Sequence, residues 1–399
     1  MRKYSTSMYI GYTSQGVKNP VFFDTHTQVL NNKPPGVLIT GQPGSGKTYL
    51  VLTLISISAL LGKVCIIIDP KGDMLNLLEI QNDIGKMNFW NLSGRNQKGV
   101  LDPFYMADPQ DRLQLVIETI EMFLGGIPED QMTALTPIVK DAINEPVPSL
   151  LRVTEMLRMS DRIEARNLGT RLDLISKMQF AELCFAPGNR NRKPISVSQG
   201  VTVVTMVGME LPKKASVDSK LTNRQRLTAT IFFLVTDFVR RAMDASETNI
   251  PKVLFIDEAW AVLQTEAGAR IVSQVALLGR SKQMSLVLVT QNASHIGALD
   301  IENTISTRFA FNTSREEARA IVASMEMPVN EGFDSALVEL GVGECLMQDY
   351  ERRFSTVQID VESWAPNWDR AFRNTNPLER IQNQKKSSQK GSSSGKQRP

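Results

Sequence analysis

"VLITGQPGSGKTYLVLTLI", Val37 to Ile55, runs from four strand-forming residues through a glycine-rich turn into an apolar helix-forming stretch. The turn, Gly41 to Thr48, satisfies GxxxxGK[ST] in the strand-to-helix context that the motif requires. Its glycines let backbone N–H groups point inward without a Cβ clash, and the helix that follows adds its positive end to the same anion. The spacing predicts that Lys47 reaches the β- and γ-phosphates and that the Thr48 hydroxyl holds Mg²⁺. Gly41, Pro43, Gly44, Ser45, Gly46, Lys47, Thr48 and Tyr49 are the candidate nucleotide contacts, with ATP and Mg²⁺ as the expected ligands.

Such a loop needs an acidic strand end nearby. The stretch KVLFIDEAWA, 252–261, supplies one: an apolar strand followed by Asp257 and Glu258. Asp257 is expected to anchor the magnesium shell through water, and Glu258 to polarise the attacking water. Three more residues are candidates, each with a plainer reading beside it. Gln291 closes LVLVTQ, where an amide can sense the γ-phosphate or hold the water, or simply end a strand. Arg280, in LLGRSKQMS, can face a neighbouring subunit's nucleotide as an arginine finger, or lie on a solvated basic turn. Asp69, in IIIDPKGD, suits a structural role as well as a catalytic one. A guanine-selecting NKxD stretch is absent.

Further apolar runs, VCIII (64–68), VTVVTM (201–206), VLFI (253–256), LVLVT (286–290) and RFAF (308–311), are continuous rather than alternating. This pattern predicts central parallel strands covered on both faces, and thus an α/β class with crossover connections. Between about Met106 and Asn191 the rhythm stops. Leu113, Val116, Ile117, Ile120 and Leu124 share one helix face, and Leu168, Leu172 and Ile175 mark another. The expected organisation is a core in two parts (1–104 and 196–375), an inserted all-α subdomain (105–195) and a flexible basic tail (376–399). The insertion accounts for much of the long separation between Lys47 and Asp257.

Bulk composition narrows the classes. The net charge of +3 owes most to a tail carrying Lys385, Lys386, Lys390, Lys396 and Arg398 with no acid among residues 385–399. The folded body is therefore slightly negative, not a DNA-coating surface. Cys65, Cys184 and Cys345 are scattered among apolar neighbours and form no CxxC pair, so neither a zinc site nor a disulfide framework is indicated. Two histidines, His26 and His295, leave little room for histidine-based chemistry. The run Tyr49 to Ile68 has membrane-like length but contains Thr53, Ser56 and Ser58 and breaks at Gly62-Lys63, so it reads as helix, turn and strand. A soluble, cytoplasmic chain without a transmembrane segment is expected. The tail is too polar to fold and could touch acidic lipid or nucleic acid.

In order, these pieces resemble the FtsK–HerA superfamily of RecA-like ring ATPases, through GRSKQMSLVLVTQNASHIGALDIENTISTRFAF (279–311). Within it the chain resembles the VirB/TraC-type ATPases of conjugative type IV secretion, in MYIGYTSQGVKNPVFFD (8–24), IDPKGD (68–73), LDPF (101–104), the helical insertion and IDEAW (256–260). That resemblance implies a hexameric, RecA-like P-loop ATPase at the cytoplasmic, inner face of a membrane. Such a motor powers channel assembly or substrate transfer beside membrane-anchored secretion components. A DNA translocase or coupling protein of the HerA/FtsK/TraG type, with DNA as partner, is the alternative. It also implies phosphate and Mg²⁺ contacts for Lys47 and Thr48, acid roles for Asp257 and Glu258, a sensor role for Gln291 and a finger role for Arg280. Secretion-family members usually carry a large N-terminal docking domain, which the short stretch before Gly41 does not match; docking is thus less supported than hydrolysis.

Overall fold

The computed structural model describes residues 7–93, 97–189, 195–197, 200–209, 221–245, 250–263, 266–291, 302–327 and 332–373. Its spine is one 11-stranded sheet in the order β2-β1-β11-β10-β9-β3-β8-β7-β4-β6-β5. The strands are β1 (Met8–Thr13), β2 (Pro20–Phe23), β3 (Gly36–Thr40), β4 (Val64–Asp69), β5 (Met87–Asn91), β6 (Val201–Thr205), β7 (Lys252–Ile256), β8 (Met284–Thr290), β9 (Ile305–Phe311), β10 (Glu344–Gln348) and β11 (Phe354–Ile359). From β9 to β5 every pairing is parallel, whereas β10, β11, β1 and β2 extend the sheet antiparallel. All six strands expected from apolar runs lie in the parallel part.

β3, β4, β6, β7 and β8 are buried along their whole length, which is why they read as unbroken apolar runs. On one face Val37, Ile39, Cys65, Ile67, Val253 and Phe255 pack against the helix Lys47–Leu60. That helix is apolar all round because a 3₁₀ turn (Asp73–Glu79) and the C-terminal helix Pro366–Phe372 cover its outer side. Its end is set by Gly62 at φ 73°, whose N–H bonds to Ala59 O. Helix, turn and strand thus replace the membrane-like run, and no helix among the described residues is long and apolar enough to cross a membrane.

The opposite face, with Leu38, Ile66, Ile68, Leu254, Ile256 and Leu288, is covered by the long helix Asn223–Ala245 and by a layer of helices between Pro103 and Ser176. No strand interrupts 106–189. The core of this helical layer is continuous with the core of the sheet. The expected boundary at residue 104 falls inside the helix Pro103–Met106. Just before it the fully buried Asp102 has a carboxylate that accepts from Phe104 N at 3.2 Å and Leu150 N at 3.3 Å, tying two helices together. In the helix Arg112–Leu124 the inward face is Leu115, Val116, Thr119, Ile120, Phe123 and Leu124, which keeps Val116, Ile120 and Leu124 of the expected stripe and leaves Leu113 and Ile117 at its margin.

One ion pair is fully enclosed. Lys63, at the turn into β4, meets Asp24 beyond β2, and both side chains are buried. Removing one partner strands the other in an apolar setting, at a cost of about 3–5 kcal/mol. We expect Lys63→Met to lower the unfolding free energy by about that much in urea titration, and Lys63→Met with Asp24→Leu to recover part of the loss.

Candidate functional site

Parallel strands bring their carboxyl ends to one edge. Thr40 of β3 pairs with Thr290 of β8, Ile256 of β7 with Leu288, and Ile68 of β4 with Ile256. The glycine turn after β3, Gln291 after β8, Asp257 and Glu258 after β7 and Asp69 at the end of β4 therefore line a single edge, with only β8 between the turn and the acidic pair.

The turn is shaped by three glycines at positive φ: Gly41 (146°), Gly44 (78°) and Gly46 (113°). A Cβ on Gly46 would lie 2.9 Å from Gly343 Cα, so the requirement is steric as well as conformational. Gln42 N donates to Asn312 O at 2.9 Å and Gly343 N to Ser45 O at 2.9 Å, which fixes the turn to the chain beyond β9. Lys47 folds back to Gln42 O at 2.9 Å. Burial lowers its pKa, while Glu258 and Asp257 act in the opposite sense as its foremost neighbouring charges. Motif and acidic pair share one electrostatic site.

Asp257 is buried, and its Oδ2 has no hydrogen-bond partner. Burial first, then Asp69, Asp73 and Glu258, push its pKa up to about 8. Ser45 Oγ, in the turn, is likewise buried without a partner. Orphaned hard oxygens of this kind, with the half-buried Thr48 hydroxyl, are a donor set suited to Mg²⁺, which uses one or two protein oxygens and completes its shell with water and phosphate. No cluster of three or more His, Cys, Asp or Glu side chains able to hold a metal occurs among the described residues.

Glu258 has a left-handed backbone, φ 48°, a conformation seldom taken by residues other than glycine and often found at functional sites. Its carboxylate is held by three donors: Lys71 Nζ, Gln291 Nε2 at 2.9 Å and Trp260 Nε1 at 2.5 Å. Burial raises its pKa, but the hydrogen bonds from Lys71, Gln291 and Trp260 outweigh that and leave it below the usual carboxylate value. Lys71 was not among the expected site residues. Its only signal in the sequence was its place in IDPKGD, two positions after Asp69.

The remaining candidates divide. Asp69 accepts from Gly72, Asp73 and Met74 N–H at 2.8, 3.1 and 3.0 Å, so it anchors the turn that presents Lys71. Burial nevertheless lifts its pKa to about 6. The Tyr49 hydroxyl donates to Asp369 at 2.6 Å and its ring meets Phe372 edge-on, directing the side chain to the C-terminal helix. Arg280 lies in the helix Glu266–Lys282, its side chain outside the described residues, as are His295 and the basic tail.

Comparison with known proteins agrees with this geometry. The AAA-like domain family matches residues 19–371. The chain belongs to that family. Its fold is that of VirB4 of Thermoanaerobacter pseudethanolicus, with a TM-score of 0.69 at 16% identity over 92% of this chain and 99% of the other. The conjugative coupling protein TrwB, in complex with ADP and Mg²⁺, superposes with a TM-score of 0.57 at 15% identity over 83% of this chain and 86% of that one. The uncharacterized protein YddE of Bacillus subtilis is 24% identical over 373 residues, 87% of this chain and 44% of YddE. The chain thus spans less than half of that relative's length.

A carboxyl group whose pKa is raised on folding destabilises the fold above its unfolded pKa, and the penalty grows until pH passes the folded value. For Asp257 that window runs from near 3.8 to about 8. Asp257→Asn should therefore raise the melting temperature of the nucleotide-free protein at pH 8, by roughly 1 °C per kcal/mol relieved in a chain of this length, and change it little near pH 4. Calorimetry across that range checks both ends.

Proposed function

We propose that the protein is an ATP-hydrolysing motor of a type IV secretion or conjugative transfer system. The observation that carries this reading is the meeting of the glycine turn, Asp257–Glu258 and Gln291 on one carboxyl edge of a sheet folded like that of VirB4. In the proposed site Gly41, Pro43, Gly44, Ser45, Gly46 and Tyr49 contribute backbone to the phosphate cradle, and Lys47 carries the cation to the β- and γ-phosphates. Thr48 and, through water, Asp257 hold Mg²⁺, which neutralises the phosphate charge when bound. Glu258 takes the proton of the attacking water, in a direction fixed by Gln291 and Lys71. Arg280, on the helix that precedes β8, acts on the nucleotide of a neighbouring subunit in a hexameric ring, beside membrane-anchored channel components at the cytoplasmic face. The likeness of TrwB supports a second reading, a DNA translocase or coupling protein.

Steady ATP turnover that rises with protein concentration is the expected behaviour. Glu258→Gln should reduce it by about 10²- to 10⁴-fold while leaving nucleotide binding intact. Mixing Arg280→Ala with Glu258→Gln should restore part of the turnover, since each subunit can repair the other's site; no recovery would remove the trans role. Strong, salt-sensitive stimulation by DNA would transfer the assignment to the coupling-protein reading. A wild-type chain that never turns over ATP, at any concentration, would end both.

A further inference from the structure

A second polar cavity lies away from the P-loop edge. It occupies about 280 Å³ where the chain enters β3 and β9, closed by the end of the helix Arg315–Ser324 and by the turn between β10 and β11. At its floor is Arg308 of β9, paired across the sheet with Leu38 of β3 and Gln348 of β10.

Arg308 is out of keeping with its surroundings. It shares a sheet face with Ala310, which packs with Ile321, Val322, Leu337 and Leu346 in a small apolar core. Its Nε is sealed from solvent and has no hydrogen-bond partner. Burial lowers its pKa, and Glu302 and Glu326, nearby, favour the charge without forming an ion pair with it among the described residues. Glu326 is instead engaged by Arg352. Arg308 is half-buried, and sealing a guanidinium nitrogen away from water without a partner carries a desolvation cost. The cavity above it is lined by the further cations Lys33 and Arg352, by the carboxylates of Glu302 and Glu326, and by the neutral polar groups of Ser324 and Tyr350.

We propose that this cavity is a binding site for a phosphoryl group, held by Arg308 and Lys33. A guanidinium presents donors in a planar fork that fits two phosphate oxygens, and with Arg352 engaged by Glu326 the cations left are Arg308 and Lys33 against the one carboxylate of Glu302. The polar lining disfavours an apolar ligand, and the central guanidinium disfavours a cation. The site is independent of the nucleotide reading, because it lies at the strand starts and shares no residue with the glycine turn. Two sources can supply the group: a free phosphate or small phosphate ester, and the backbone of a nucleic acid.

The test is titration calorimetry with inorganic phosphate on the full chain carrying Lys47→Ala, which silences the P-loop. One saturable site is expected in the millimolar range, weakened about tenfold or more by Arg308→Gln and by Lys33→Glu. Absence of saturable binding up to roughly 20 mM overturns the proposal, as does binding that survives both substitutions. Should Arg308→Gln fail to fold, as judged by circular dichroism, the exposed Lys33→Glu decides alone. A single-stranded oligothymidylate, added as competitor, separates the sources: Arg308-dependent displacement of phosphate assigns the group to nucleic acid, and no displacement assigns it to a free phosphate or ester.

Discussion

Everything at the P-loop edge depends on unlike charges gathered by parallel strands. Asp69, Asp73, Asp257 and Glu258 converge there, and Lys47 and Lys71 are the cations among them. The pressure falls most heavily on Asp257, whose Oδ2 has no donor. Like charges held together on a buried edge cost folding energy, and the opposite arrangement, each acid paired with its own lysine, would give a steadier protein.

Glu258 shows the alternative solution on the neighbouring residue. Three donors keep it ionised and aimed, on a left-handed backbone. Two successive acids therefore have opposite electrostatics, one raised and one lowered in pKa. That divergence is the usual sign that neighbouring carboxyls have different tasks. Ionisation suits a proton acceptor; an unsatisfied oxygen suits a metal shell. Lys71 is the residue that makes the difference, and Asp69 is what places it, by gathering three backbone N–H groups of the turn that follows it.

How much of this was readable depended on range. Parallel strands buried on both faces show as apolar runs, so β3, β4, β6, β7, β8 and β9 could be placed from Val37, Val64, Val201, Val253, Leu286 and Arg308 onward. β5, with the sequence MNFWN, was missed because an edge strand half-buried along its length carries no such run. β1, β2, β10 and β11 are short, mixed in polarity and antiparallel, and their pairing joins residues 11 and 359, which local pattern cannot report. Among site residues the glycine turn and IDEAW were legible because backbone chemistry fixes their spacing. The Tyr49–Asp369 bond, the Lys71–Glu258 contact and the solitary guanidinium of Arg308 were not, since each depends on what the fold brings beside it.

The antiparallel extension also has a mechanical place in this arrangement. Asn312, just beyond β9, accepts Gln42 N–H through its backbone and donates through its side chain to Val338 O at 2.6 Å and Leu340 O at 3.1 Å. Gly343, one residue before β10, packs against Gly46 and donates to Ser45 O. The glycine turn is therefore clasped from outside by the segment around 338–343, with no room for a side chain at Gly46. β10 begins beside that segment, and its other end borders the Arg308 cavity. In physical terms the extension is what connects the strand ends, where the turn sits, to the strand starts, where the lone guanidinium sits.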